Sequence, residues 1–255
     1  MDYPKIGLNA FEKESEIKRA DPVQGMPSRP LIGFPQKRVD GATPFYRAHH
    51  KNFGPWWFSS SGDGRFDLSV EGLDETRCSS VPKSREQRAL EAAEGMGTCY
   101  LGDSPATSMR ERLGLPLVSA GCVPISEVAD VLLSKLHLHH EFILANINDH
   151  DGKSANFGVT TELAASSPYE ICQSWAREFN LEGLHGIYYK SRFNPALTAC
   201  SVALFGESGS RMGSPEWRID VNPMNGLEAA MLANIEVFED PEVGELTVAL
   251  PYNPI

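Results

Sequence analysis

Residues 97–114 read GTCYLGDSPATSMRERLG, and this stretch constrains the chain more than any other. The apolar run TCYL suits a short strand. Ser104 and Pro105 follow it. Serine is a favoured helix cap, and proline fits the first helical position because its missing N–H would have no partner there. Gly114 is expected to stop the helix. So tight a strand-to-helix turn brings Glu111, one to two turns into the helix, back beside Tyr100. A fold built on this unit sets a helical carboxylate against the end of a sheet.

The rest of the patterned chain supplies partners for that unit. Ser84, Gln87 and Gly95 predict a capped helix over SREQRALEAAEG. SSPYEICQSWAREFN predicts another, with Ser167 as cap, Pro168 at its start and Glu170 closing the capping box. Ile171, Trp175 and Phe179 recur on one face of it. Strands are expected at 131–138 and 142–147, and at GIYY, CSVALF, NIEVF and ELTVAL, with a polar loop over 67–83. These elements predict an α+β domain on mixed or antiparallel sheets. Residues 1–42 mix charge with Pro and Gly without periodicity and read as a loosely structured N-terminal extension. The domain is expected over 43–255, with an acidic segment from about residue 212.

Charge narrows the partners. Residues 1–117 carry 16 basic and 16 acidic side chains, whereas 118–255 carry 7 and 18, which accounts for the whole net charge of −11. That balance argues against nucleic acid, which needs clustered Lys and Arg. No apolar run approaches the ~20 residues that span a bilayer, and the N-terminus has no apolar signal core. A cytoplasmic setting is the expectation, with export that needs no cleaved signal left open. The five cysteines, at positions 78, 99, 122, 172 and 200, have no metal-ligand spacing and read as reduced small hydrophobes.

Familiar motifs fail on spacing. His137, His139 and His140, with Asp149, His150 and Asp151, are not completed by an HExxH or paired CxxC element, so no metal is expected. GESGSRMGS is neither a P-loop nor a GxGxxG that opens a helix, and reads as a turn. No G-x-S-x-G occurs. What remains is dispersed: Tyr46 and Arg47 in FYRAHH, Arg65 in GDGRFD, Tyr100 and Glu111 in CYLGDSPATSMRE, and Ser191 in LEGLHGIYYKSRFN. Each residue alone suits a solvated turn, an ordinary core tyrosine or a common loop serine.

Taken in order, with SPYEICQSWAREF between the last two stretches, the set resembles the RES domain family, named for its Arg, Glu and Ser residues. The likeness covers about residues 43–210. The spacing from Tyr100 through Ala106 to Glu111 is its most specific part. Asp63 stands where the family has a first glycine, and 67–97 is a longer connection than usual. The resemblance implies an ADP-ribosyltransferase-like fold and a bacterial toxin that consumes NAD as substrate, in some members by phosphorolysis. It implies a helix-turn-helix antitoxin as partner, or an immunity protein if the toxin is exported.

The chemistry fits those residues. Breaking the nicotinamide–ribose bond passes through an oxocarbenium-like state, as glycoside cleavage does. Arg47 and Arg65 suit the pyrophosphate, since a planar fork matches phosphate oxygens. Glu111 suits the ribose, where its charge faces the developing cation. Tyr46 is placed with Arg47 in the NAD pocket by the motif. Tyr100 offers a stacking face and a hydroxyl, and Ser191 a compact donor and acceptor. Glu111, Arg47 and Ser191 are the expected catalytic residues, with Tyr46, Arg65 and Tyr100 added for NAD binding. A protein ADP-ribosyltransferase, an exported antibacterial NADase and a non-catalytic binding module remain alternative readings.

Overall fold

The computed structural model describes residues 24–68, 84–138, 140–149, 151–165, 169–211, 217–219 and 222–240. In chain order the elements are β1 (Gln36–Val39), β2 (Pro44–His50), β3 (Trp57–Phe58), α1 (Arg85–Ala93), β4 (Met96–Gly102), α2 (Pro105–Ala120), β5 (Cys122–Pro124) and α3 (Ile125–Ala129). They continue as β6 (Val131–Leu138), β7 (Phe142–Asn146), α4 (Glu170–Leu181), β8 (Gly186–Lys190), β9 (Cys200–Glu207), β10 (Gly209–Ser210), β11 (Trp217–Ile219), β12 (Met224–Asn225), α5 (Gly226–Leu232) and β13 (Glu236–Phe238). The class is α+β, as expected.

One mixed sheet dominates, in the order β1-β7-β8-β9-β4-β2-β6-β11, with β12 also on β6. β7 and β8 are parallel, and the other pairs along this sheet are antiparallel. The register contains a division. β2 pairs with β6 along all of Pro44–His50, and β4 pairs with β9 along all of Met96–Gly102. Yet β2 meets β4 at a single position, Tyr46 opposite Gly102. The sheet is therefore two well-bonded halves joined at one point, and it opens beyond that point.

Each half has its own cover. Trp175 and Phe179 of α4 are buried with Phe66, Ile187, Tyr189 and Ala203 against β7–β9. Met109, Leu113 and Leu117 of α2 join Ala229 and Ala230 of α5 over β2 and β6. A third cluster, with Trp56, Phe58, Leu136 and Val202, fills the other face. Burying each large side chain stabilises the domain by about 1.5–3 kcal/mol. Truncating Trp175, 1% exposed, to Ala would cost about 3–5 kcal/mol.

The expected caps are present where they can be described. Ser84 and Gln87 form the capping box of α1. Ser104 accepts from the Thr107 amide, with Pro105 at the first helical position of α2. Gly114 does not end α2. It breaks the backbone there at φ 51°, and a second segment runs to Ala120, closed by Gly121 at φ 74°. Glycine tolerates that left-handed break, and Phe193 packs 3.6 Å from where a Cβ would stand. The Ser167–Pro168 start of α4 lies outside the described residues, as do most of the 67–83 loop and the ELTVAL strand; α4 is described from Glu170, and NIEVF forms β13.

The extension needs correcting over residues 24–42. Gln24 is fully buried; its Oε1 accepts from the Thr160 amide at 2.8 Å, and its Nε2 donates to the Gly158 carbonyl at 3.0 Å. Leu31 and Phe34 enter the core, and β1 pairs with β7. Side-chain-to-backbone bonds hold this segment, and they leave no hydropathy period to read.

Candidate active site

The opening between β2 and β4 is a cleft of about 1000 Å³. Arg47, Ala48 and His49 line the β2 side, Tyr100, Leu101 and Gly102 the β4 side, and Arg65 and Glu111 reach it from a loop and from α2. Four of the six residues expected from sequence thus meet in one cavity. Ser191 joins them by a hydrogen bond. Tyr46 is not among the residues that line the cleft and packs on the α2–α5 cluster. Its contribution is the backbone junction with Gly102.

The junction is built from small residues. A Cβ on Gly102 would stand 2.6 Å from the Ser108 amide, so only glycine lets α2 lie this close to the strand. Ser108 Oγ then accepts from the Ala48 amide at 2.7 Å, which ties β2 to the start of α2. Ser108 and Glu111 lie three residues apart and share a helix face. The tie therefore sets Glu111 over the point where the strands part.

Glu111 is half-buried, and its Oε1 accepts from Ser191 Oγ at 2.6 Å. Ser191, 4% exposed, in turn accepts from the Asn194 amide at 3.2 Å. A serine hydroxyl has one hydrogen, so that hydrogen is directed to Glu111. The network runs on. Asn194 Nδ2 donates to Thr107 Oγ1 at 3.0 Å, Thr107 Oγ1 donates to Asp103 Oδ1 at 2.7 Å, and Asp103 Oδ2 accepts from the Cys200 amide at 2.8 Å. It links the end of β4, the first turn of α2 and the β8–β9 loop around one carboxylate.

GDGRFD explains its own residues. Asp67 is buried; its Oδ2 accepts from the Gly64 amide at 2.9 Å, and its Oδ1 accepts from the Tyr100 hydroxyl at 3.0 Å. The Phe66 amide donates to that same hydroxyl at 2.8 Å. A Cβ on Gly64 would collide with both Asp67 and Tyr100. The motif thus clamps Tyr100 by its hydroxyl, and its ring is what remains to face the cleft. Burial raises the Tyr100 phenol well above its ordinary range, with Asp67 adding to the effect, and burial also raises the Asp67 carboxyl. Burial, then the charge of Glu111, pushes the Tyr189 phenol up. Both phenols therefore stay protonated and act as hydrogen-bonding groups.

Two cations of the cleft, Arg65 and Arg47, are held by neutral groups among the described residues. Arg65 is 7% exposed; its Nη1 donates to the Ala164 carbonyl, and its buried Nε has no partner. Arg47 Nη1 donates to the Pro55 carbonyl at 2.7 Å and to Cys99 Sγ at 3.0 Å. Neither arginine forms an ion pair with a described residue. Buried polar groups are normally satisfied, so an orphaned guanidinium nitrogen beside a cavity marks a place for an anion.

Sequence reasoning missed His49 and the positioning group Asp103, Thr107 and Asn194. His49 Nε2 lies 2.9 Å from Ser134 Oγ, and burial lowers its pKa. Asn194 stood in SRFN beside Ser191, but its role depends on a loop fold that spacing does not show. Cys172 is buried, and burial lifts its thiol to about 11, so it is no nucleophile. Among the described residues no three His, Cys, Asp or Glu side chains gather as metal ligands, and no helix is long and apolar enough to cross a membrane.

No curated protein matches the chain in sequence. Among solved structures, a chain in the crystal structure of the M. tuberculosis MbcT–MbcA toxin–antitoxin complex is similar at a TM-score of 0.50 and 12% identity, over 75% of this chain and 89% of that one. At that identity the likeness shows a shared fold. The family model of the RES domain matches residues 44–222, which include every residue of the cleft, and the chain belongs to the RES domain family.

Proposed function

We propose that the cleft binds NAD and that the protein cleaves its nicotinamide–ribose bond, as a toxin-like enzyme of the bacterial cytoplasm restrained by an antitoxin. The observation that carries this reading is the Glu111 carboxylate, fixed by Ser191 at 2.6 Å in a cleft where Arg47 and Arg65 form no ion pair with a described residue. Negative charge at one point and unsatisfied positive charge nearby match a ligand that develops a cation beside a pyrophosphate.

The step follows from those placements. The bond from ribose C1 to the nicotinamide nitrogen breaks, and its electron pair leaves with neutral nicotinamide. Glu111 stabilises the positive charge left on the ribose. Ser191 holds the carboxylate in place, and Arg47 and Arg65 hold the pyrophosphate. Water or phosphate then bonds to C1; water loses a proton as it adds. The products are nicotinamide with ADP-ribose or its 1″-phosphate. The family and the toxin–antitoxin complex with the shared fold support the toxin setting.

The test is to incubate the purified protein with NAD, with and without phosphate, and to separate the products. Nicotinamide release is expected, and a 1″-phosphate product marks phosphate as acceptor. Label transferred from NAD to protein would replace this reading with a protein ADP-ribosyltransferase. Intact NAD would remove the enzyme reading.

A further inference from the structure

The floor of the cleft carries a hydroxyl that the network around Glu111 does not use. Ser201 lines the cleft and is 1% exposed, and its Oγ has no hydrogen-bond partner among the described residues. A buried hydroxyl left unpaired costs free energy, so an orphan on a cavity wall marks where a ligand atom bonds.

The sheet register sets its direction. Ser201 of β9 stands opposite Gly102 of β4 on one side and Tyr189 of β8 on the other. Residues paired across antiparallel strands share a face. The Ser201 side chain therefore points to the face on which α2 packs against Gly102. Tyr100, two residues before Gly102, shares that face, and both tyrosines line the cleft. Burial first, and then the charge of Glu111, raise the Tyr189 phenol against the pull of Arg65, the Ser201 hydroxyl and Arg192. One phenol thus feels both Glu111 and Ser201, which brings the idle hydroxyl to the same corner as the carboxylate.

That corner suits a flat, neutral group with both a donor and an acceptor. The Tyr100 ring, clamped by the Phe66 amide and Asp67 at its hydroxyl, supplies an aromatic face. Ser201 Oγ can donate one hydrogen and accept another. A phosphoryl group is drawn to cations instead, and the ribose is assigned to Glu111. What remains of the substrate is the carboxamide on the nicotinamide ring, with its carbonyl and its NH2.

We propose that Ser201 is a specificity-determining residue that hydrogen-bonds the nicotinamide carboxamide while the ring lies against Tyr100. This deepens the NAD-cleavage reading and rests on it. Holding the carboxamide fixes the rotation of the ring about its bond to ribose C1, the bond that is to break.

NMR titration of the full chain tests this with two neutral probes, nicotinamide and 3-methylpyridine, which keeps the ring and lacks the carboxamide. The wild type is expected to bind nicotinamide more tightly. Ser201→Ala should narrow that margin at least threefold, the size of one neutral hydrogen bond, with 3-methylpyridine affinity unchanged. The variant loses only an unpartnered hydroxyl, so its unfolding temperature should match the wild type or exceed it. Ser201→Cys, near in size and a weak hydrogen-bonding group, should narrow the margin likewise. Equal binding of the two probes by the wild type, no binding of nicotinamide, or a margin unchanged in Ser201→Ala would overturn the assignment. Nicotinamide release from NAD is measured on the same preparations. Release with an unchanged margin removes the role of Ser201 alone, and a narrowed margin without release removes the cleavage reading alone.

Discussion

Arg85 is partly buried and Arg65 buried, and their surroundings are opposite. Arg85 Nε meets Glu178 Oε2 at 2.5 Å and its Nη2 meets Glu182 Oε1 at 2.5 Å, which clamps α1 to α4. Arg65 has a backbone carbonyl, the ring of Tyr169 and an orphaned Nε. Arg85 carries its counterions within the fold. Arg65 is held in place by neutral groups and awaits a charge from outside. A structural arginine and a binding arginine are thus distinguished by what neutralises them, rather than by burial.

Breaking the first side of this comparison should give the largest effect. Arg85→Ala leaves the Glu178 carboxylate buried and unpaired, at a cost on the order of 3 kcal/mol. Urea unfolding should show that loss while NAD affinity stays constant. The loss should also depend on pH. Burial already raises the Glu178 carboxyl against the pull of Arg85, so in the variant the folded state takes up a proton more readily than the unfolded chain. Stability relative to wild type should therefore recover as pH falls through the carboxylate range. A deficit that stays flat from neutral pH to about pH 5 would show that Glu178 is not the group left exposed to the cost.

The second side inverts the pattern. Arg65→Ala removes charge-assisted bonds to phosphate worth about 1.5–3 kcal/mol, so NAD affinity should fall about tenfold to a hundredfold, with little loss in unfolding free energy. Arg65→Lys should not restore it, since the planar fork is lost. Comparable destabilisation in Arg65→Ala and Arg85→Ala, with affinity intact, would erase the distinction.

A smaller effect sharpens the site itself. Thr107→Val and Asn194→Ala cut the chain of bonds behind Ser191 without touching the cleft's charges. Each should lower kcat about tenfold and leave KM nearly unchanged, because misplacement of Glu111 matters most in the transition state. Thr107→Ser should recover most of the rate. The smallest effect belongs to Glu94→Gln. Glu94 is exposed, and its side chain has no partner among the described residues, so rate and stability should match the wild type.

Local signals were the legible ones. Ser84, Ser104 and the strand runs act through neighbours a few residues away, and those within the described residues appear as read. So does the turn that returns Glu111 to the strand of Tyr100. Arg47 and Arg65 were readable as a set through motif order. Tyr46 was placed by the motif alone; the structure packs it on the α2–α5 cluster, outside the lining of the cleft. The Asp103–Thr107–Asn194 network was hidden because its members lie on three elements and meet only through tertiary contacts. Gln24 was hidden for a related reason: one polar side chain, bonded across more than 130 residues, anchors a segment that has no hydropathy pattern.

The central claim is that the charge of Glu111 stabilises a ribosyl cation in a pocket that holds NAD. The direct measurement is nicotinamide release from saturating NAD by wild type and Glu111→Gln, paired with NAD affinity for both. The substitution keeps the size and an acceptor oxygen and removes the charge. The account predicts a rate lowered on the order of 10²-fold or more with affinity changed little. Equal rates in the two proteins, or no nicotinamide release from the wild type, would contradict it.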